Sequence, residues 1–237
     1  MKFVVAGGML LIAWIVGVVS YAITPYFDVP SNDEEEKNEI KGSVALAITV
    51  KRLFCRENVK QVMLICLLAI LCAVAAFRLY DTGMTVLAQS KLLSVALLLI
   101  PIMMIDWEYH RIPNVLVLVM LLVGSIFLLF EFVLYRTEFN ITMLTSMGGL
   151  IFCVALFYIL SRLTKDGLGM GDVKLIAAIG WILGLSTTML VIIAALILSM
   201  VTAIVLLVGK KKNTSDTLPF GPFVFFGYIL MLILFGV

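Results

Sequence analysis

The hydrophobic positions of this chain form long uninterrupted runs, without the strict alternation of strands or the one-sided stripe of a water-soluble helix. Because an α-helix rises about 1.5 Å per residue, about 20 apolar residues cross the roughly 30 Å hydrocarbon core of a bilayer. A helix also satisfies its own backbone hydrogen bonds in lipid. The pattern therefore predicts an all-α membrane protein, a polytopic helical bundle of about eight transmembrane helices near residues 3–24, 61–79, 87–105, 113–134, 141–161, 173–185, 187–208 and 219–236.

The sixth and the first of these runs differ from the others. The sixth is short, and only residues 184–188, beginning Gly-Leu-Ser, separate it from the seventh, which predicts a tight helical hairpin. The first run has a second interpretation as a secretory signal, with Lys2 as its positive region and residues 20–22 as a cleavage site. Its length exceeds that of a usual signal core, which favours a transmembrane helix.

Composition supports the membrane assignment. The chain has 237 residues, of which 63% are hydrophobic and 14% are charged, and its mean hydropathy is +1.17. Soluble domains carry about 45–50% apolar and about 25% charged residues, so an ordinary soluble domain is excluded. The net charge of +2 provides no basic surface of the kind that binds nucleic acid. The four cysteines show no paired spacing that would indicate a disulfide framework.

The basic residues predict the orientation of the bundle. Of the 17 lysines and arginines, 13 lie in the odd-numbered connections, and 4 lie in the even-numbered connections or at the N-terminus. Since basic residues accumulate on the cytoplasmic side, the odd connections are predicted to be cytoplasmic and both termini to lie outside.

This orientation divides the chain into three parts: a first transmembrane helix, 1–24; a cytoplasmic connection, 25–60; and a helical membrane core, 61–237. The connection begins with an acidic cluster at 33–36, which is typical of a solvated stretch. Residues 43–56 combine apolar positions with three basic residues, as expected of a helix lying on the anionic leaflet.

Acidic residues next to apolar runs are candidates for function, because charge at membrane depth is costly. Asp106 follows one apolar run and Asp172 precedes another, and both are predicted at the cytoplasmic side. Glu131 is a third acid within an apolar stretch, but its position toward the outer end of its span predicts that it reaches water.

Each of the two aspartates has a purely structural alternative. Asp172 closes a string in which Gly167, Gly169 and Gly171 alternate, and such glycines allow a substrate strand to approach closely. Asp172 alone is equally explained as the N-cap of the sixth helix. Residues 107–114 are equally explained as an interfacial loop with a belt of aromatic side chains, after which Pro113 opens the fourth helix.

Two carboxylates that share a site cannot both ionise cheaply, so a pair can hold one proton between them. One group then acts as a base toward water while its protonated partner polarises a carbonyl, and this division of labour fits peptide hydrolysis. His110 is the only histidine, so a zinc site is not expected. No Ser-His elbow and no Walker phosphate loop is present.

Three separated motifs resemble those of the type IV prepilin peptidases, which are G-x-G-D membrane aspartyl proteases. They are Asp106 with Ile112-Pro113-Asn114, the segment from Gly169 to Leu175, and Leu218-Pro219-Phe220-Gly221-Pro222. The agreement in order and spacing covers about residues 90–237. The resemblance implies that Asp106 and Asp172 are the catalytic pair. It also implies substrate-binding or supporting roles for the motif residues Gly169, Gly171, Lys174, Pro113, Asn114, Pro219, Gly221 and Pro222.

The resemblance further implies a multi-pass protein of the plasma (inner) membrane that removes the basic leader of prepilins or pseudopilins at the cytoplasmic face. Many family members also N-methylate the product, using a cytoplasmic region that often carries C-x-x-C pairs. Here that region is short and contains Cys55 alone. We therefore expect cleavage without a cofactor or a metal, and S-adenosylmethionine only if the protein is bifunctional.

Two functions of other classes stay open. A proton-coupled transporter would use buried acids as relays, but it would place them at the bilayer midplane and commonly shows an inverted repeat. A non-catalytic membrane scaffold would tolerate replacement of both carboxylates.

Overall fold

The structure is a computed structural model that describes residues 7–9, 11–13, 15–17, 19, 59–137, 139–163, 169–209 and 218–235. Residues 25–58, which hold most of the predicted connection and its surface-lying helix, lie outside the described residues. The same is true of 20–22, of Gly167 and of the basic loop at 210–212. The predicted division at 24 and 60 therefore stays a prediction.

The described part of the chain is all-helical and contains no strand, which confirms the predicted fold class at that level. The described residues between 7 and 19 are helical, and six labelled helices follow them. These are α1 Val59–Asp81, α2 Val86–Tyr109, α3 Asn114–Leu134, α4 Phe139–Leu163, α5 Met170–Val208 and α6 Gly221–Phe235. Among the described residues, α2, α3, α4 and α5 are long and apolar enough to cross a membrane.

The predicted break between the sixth and seventh runs lies inside α5. Gly184 has φ 75° and ψ 175°, a conformation outside the helical region that glycine adopts without steric cost. Helix α5 begins at Met170, near one cavity, and Leu206 near its other end lines a second cavity. His110 and Pro219 line both cavities, so the two ends of α5 lie near each other. Since 39 helical residues would otherwise extend about 58 Å, the chain reverses at Gly184.

Close backbone contacts hold the helices together. A Cβ added at Gly149 in α4 would lie 2.5 Å from the carbonyl oxygen of Gly180 in α5. A Cβ at Gly227 in α6 would lie 2.8 Å from the backbone nitrogen of Ala195. Such small-residue contacts are common between membrane helices, because they let two backbones approach. The Tyr228 hydroxyl, fully buried, donates a hydrogen bond of 2.7 Å to the Leu92 carbonyl and ties α6 to α2.

The outer surfaces of α3 and α4 are apolar. Leu118, Leu122 and Leu129 of α3 are more than half exposed, and so is Ile151 of α4. An apolar surface of this extent is unusual on a soluble monomer and is what lipid contact requires. The helices thus pack through small residues on the inside and present large hydrophobic side chains to the bilayer.

Two predictions for the chain around Asp106 are wrong in detail. Helix α2 continues to Tyr109, so residues 107–109 belong to its last turn and not to an interfacial loop. The helix ends at His110, whose φ of 53° places it in the left-handed region. Pro113 is the N-cap of α3 and the helix begins at Asn114, one residue later than predicted.

Glu131, which the sequence predicts to reach water, is largely buried and forms an ion pair. Its carboxylate pairs with the Lys91 ammonium at 2.5 Å between α3 and α2, and the two side chains are only 13% and 16% exposed. Its Oε2 atom is buried and has no hydrogen-bond partner within the described part of the chain. The two helices position this ion pair at the end opposite Asp106, so it serves helix packing rather than the candidate chemistry.

Candidate active site

Asp106 lies in the last turn of α2 and is 4% exposed. Its Oδ2 accepts a hydrogen bond of 2.7 Å from the backbone N–H of Gly221, the first residue of α6. A buried carboxylate needs such a donor, since burial without a partner is costly. Two segments that are distant in sequence, the end of α2 and the start of α6, thus meet at Asp106.

Asp172 approaches the same place from the first turn of α5. The N-cap of this helix is Gly169, not Asp172, and Asp172 is the third helical residue. Its carboxylate accepts a hydrogen bond from the Gly169 backbone N–H. This reach from the third helical residue back to the cap resembles half of a capping box. The structural alternative for Asp172 therefore holds in modified form, and the same carboxylate also faces the cavity.

Asp106 and Asp172 line one cavity of about 490 Å³, and their carboxyl groups lie close enough for their charges to interact. The cavity is partly enclosed, and much of its lining is polar. Its other lining residues are His110, Arg111, Ile112, Asn114, Gly169, Gly171, Lys174, Leu218, Pro219 and Phe220. Two neighbouring carboxyl groups in a partly enclosed space can share one proton and act on a water molecule.

Gly171 brings the two aspartates together indirectly. A Cβ at this position would lie 3.1 Å from the Cβ of Ile112, in the short segment between α2 and α3. The glycine was expected to make room for substrate, but here the chain that approaches it is the protein's own segment. Absence of a side chain at 171 therefore allows the start of α5 to pack against residues 110–113.

Lys174 and Asn114 join the same two elements by a hydrogen bond. The Lys174 ammonium donates to Oδ1 of Asn114 at 2.9 Å, and both side chains are exposed. Lys174 follows Asp172 by two residues on α5, and Asn114 opens α3. The contact places a positive charge at the wall of the cavity next to the carboxylates.

The third predicted motif takes three different positions. Pro219 lines the cavity, and Gly221 anchors Asp106. Pro222 is buried in the first turn of α6 and does not line the cavity. Because α6 begins at Gly221, these residues do not break or bend the last helix; a proline is tolerated in a first turn, where its missing N–H is not needed. Pro113, similarly, caps α3 without lining the cavity.

The sequence interpretation missed His110 and Arg111 as lining residues. His110 follows Asp106 by four residues, about one helical turn, and this spacing was the available signal. With Lys174 the two side chains give the cavity a basic wall. Among the described residues, no three His, Cys, Asp or Glu side chains are grouped so that they could hold a metal ion.

A comparison with protein-family models matches residues 93–208 to the type IV leader peptidase family. This match covers α2 to α5 almost entirely and includes both aspartates. This match supports the type IV leader peptidase family. This confirms the family that the three motifs indicated, and a comparison with solved structures found no match.

Curated relatives carry the name prepilin leader peptidase/N-methyltransferase. The protein of Pectobacterium carotovorum subsp. carotovorum is 29% identical over 77% of this chain and 64% of its own length. Those of Aeromonas salmonicida and Aeromonas hydrophila are 29% and 30% identical, each over 56% of this chain and 46% of their own length. The aligned part of this chain thus spans between about half and two thirds of the curated relatives it matches.

Proposed function

We propose that this protein is a membrane aspartyl endopeptidase that removes the basic leader of type IV prepilins or pseudopilins. The observation that carries the proposal is the meeting of Asp106 and Asp172 at one cavity of about 490 Å³, built from helix ends that are far apart in the sequence. The match to the leader peptidase family supports the substrate class.

In the proposed mechanism a water molecule lies between the two carboxyl groups, which share one proton. The ionised carboxylate takes a proton from this water while the oxygen adds to the scissile carbonyl carbon, and the protonated partner donates its proton to the carbonyl oxygen. The tetrahedral intermediate then collapses: the partner carboxylate takes back a proton from one hydroxyl of the intermediate, the C–N bond breaks, and the leaving amine receives the proton held by the first carboxyl group. The Gly221 N–H keeps Asp106 oriented throughout.

The proposal includes a topology. We propose eight spans with both termini outside, a plasma (inner) membrane location and a cavity that faces the cytoplasm, because 13 of 17 basic residues fall in the odd-numbered connections. The proposed division is a first helix at 1–24, a cytoplasmic connection at 25–60 and a peptidase core at 61–237. Partners are then the prepilin-type substrate and the lipid bilayer, with no role for nucleic acid.

The test is to replace each carboxylate separately. Asp106→Asn and Asp172→Asn should each abolish leader cleavage, since each removes half of a pair that acts as a unit. Cleavage of a prepilin by purified protein in liposomes is followed by mass spectrometry, and Glu108→Gln is the matched control, an acid two residues from Asp106 that does not line the cavity. Near-normal cleavage by either asparagine variant would refute the dyad.

A second candidate is a bifunctional peptidase and N-methyltransferase, which the names of the curated relatives favour. A methyltransferase needs a shaped polar pocket for S-adenosylmethionine, and the expected place, 25–58, lies outside the described residues. We expect weak methyl transfer or none, because a segment of that size rarely forms a stable pocket alone. To test for methyl transfer, the protein is incubated with a prepilin and labelled S-adenosylmethionine, and the mass of the cleaved product is measured. A quantitative methyl increment on the product would establish a bifunctional protein.

A further inference from the structure

A second cavity of different chemistry adjoins the polar cavity. This second cavity has a volume of about 540 Å³ and shares His110, Leu218 and Pro219 with the first. Its remaining lining residues are almost all apolar: Trp107, Leu198, Thr202, Leu206, Phe223 and Phe226. We call these nine residues the apolar groove.

The apolar groove is a cleft between two helices. Leu198, Thr202 and Leu206 recur every four residues on the second half of α5, and Phe223 and Phe226 lie three residues apart on α6, so each set forms one helix face. All five side chains are half-buried. Trp107, which is 60% exposed, lies at the end of the groove near Asp106.

Among the described residues that line the groove, no charged side chain other than His110 is available to specify a charged ligand. The Thr202 hydroxyl donates to the Leu198 carbonyl of its own helix at 2.8 Å, so it does not require an external partner. His110 is the one titratable side chain among the described lining residues, and it also lines the polar cavity. The lining therefore changes from charged to apolar on the two sides of the shared residues His110, Leu218 and Pro219.

We propose that the apolar groove binds the apolar segment of the substrate next to the scissile bond. The substrate chain then passes from the polar cavity along the groove into the bilayer. This inference rests on the proposed peptidase function. A peptide whose scissile bond lies at Asp106 and Asp172 has to leave the polar cavity, and the shared lining residues His110, Leu218 and Pro219 place the apolar groove directly beside that cavity. Both helices that form the cleft belong to the apolar bundle, so a membrane-embedded helix reaches it laterally.

Substrate recognition is then divided between two chemistries. The basic side of the scissile bond stays in the polar cavity, whose lining includes the acidic side chains Asp106 and Asp172. The apolar side gains burial against aromatic and aliphatic side chains, which provides affinity in proportion to the area covered. A peptide that ends before its apolar segment would lose the second contribution alone.

The test fills the groove and compares two substrates. Thr202→Trp and, separately, Leu206→Trp place a large ring in the cleft, while Val201→Trp places the same ring on a neighbouring position that is 50% exposed and outside the groove. One substrate is a prepilin-type chain with a basic leader and an apolar helix of about 20 residues. The other is a short soluble peptide that spans the scissile bond and ends before the apolar helix.

We expect either groove variant to lower the ratio of long-substrate to short-peptide cleavage by about tenfold or more, and Val201→Trp to leave this ratio at the wild-type value. A photoreactive residue at position 202 should crosslink to the apolar helix of the long substrate, and one at 201 should not. An unchanged ratio in both groove variants, or crosslinks at 202 to lipid alone, overturns the groove assignment while wild-type cleavage continues. Failure of the wild-type protein to cleave either substrate refutes the peptidase itself.

Discussion

The backbone N–H of Gly221 donates a hydrogen bond of 2.7 Å to Oδ2 of Asp106, across 115 residues of sequence. A Cβ at position 221 would lie 2.9 Å from the same oxygen and 3.0 Å from the Asp106 Cβ. Glycine is therefore required here for close approach rather than for flexibility. The contact fixes the orientation of one carboxylate relative to the other.

Gly221→Ala should lower cleavage by about 100-fold, because displacement of a reacting group by about 1 Å commonly has an effect of this size. The added methyl group must push Asp106 or the start of α6 out of place. Gly148→Ala is the matched control, since a Cβ at Gly148 meets no atom within 4 Å. Wild-type cleavage by Gly221→Ala would show that the orientation of Asp106 does not depend on this contact.

Gly149→Ala and Gly180→Ala should each destabilise the protein by about 1–3 kcal/mol. The Cβ added at Gly180 would lie 2.7 Å from the carbonyl oxygen of Gly149, and both neighbouring atoms belong to backbone, which cannot rotate away. Thermal unfolding in detergent measures the effect, and Gly148→Ala again serves as the control. Melting temperatures equal to that of the control would mean that α4 and α5 pack less closely than described.

Lys91→Met should destabilise the fold by about 1–3 kcal/mol, less than the loss for a fully buried pair, because the side chains of Lys91 and Glu131 keep 16% and 13% exposure. The substitution leaves the Glu131 carboxylate without its cation. A second change, Glu131→Gln, should restore much of the loss in the double variant. Additive effects of the two changes, measured by thermal unfolding, would contradict direct pairing.

The proposed topology predicts the accessibility of introduced thiols. In a background without native cysteines, Thr137→Cys in the exposed link between α3 and α4 should react with an impermeant reagent added to intact cells. Lys211→Cys should react only after the membrane is opened. Labelling of Lys211→Cys in intact cells would invert the bundle and place the cavity on the outer side.

Much of the fold could be predicted because lipid simplifies the problem. A run of apolar residues has to be a helix, and the interruption at Gly184 was visible as a Gly-Leu-Ser sequence between two such runs. Asp106 and Asp172 could be assigned to one end of the bundle because successive spans alternate in direction. The end of α2 was less predictable, since Trp107, Glu108 and Tyr109 fit a last helical turn as well as an interfacial loop.

The contacts within the site were not predictable from spacing alone. The partner of Glu131 is Lys91, 40 residues away, and the donor to Asp106 is a backbone amide that no residue type reveals. Gly171 was identified as a position needing close approach, but sequence could not tell whether substrate or Ile112 would approach it. Such pairings depend on how the helices rotate about their axes, which an apolar pattern around the whole helix leaves undetermined.

The reversal at Gly184 has a consequence for the bilayer itself. The helical half before it, Met170–Leu183, extends about 20 Å, whereas the half after it, Leu185–Val208, extends about 36 Å. The shorter half cannot match a hydrocarbon layer of about 30 Å, so either the lipid thins around it or its first turn, with Asp172, lies below the headgroups. In the second case the proposed hydrolysis would take place at a depth that water reaches through the polar cavity, and membrane thickness would affect its rate.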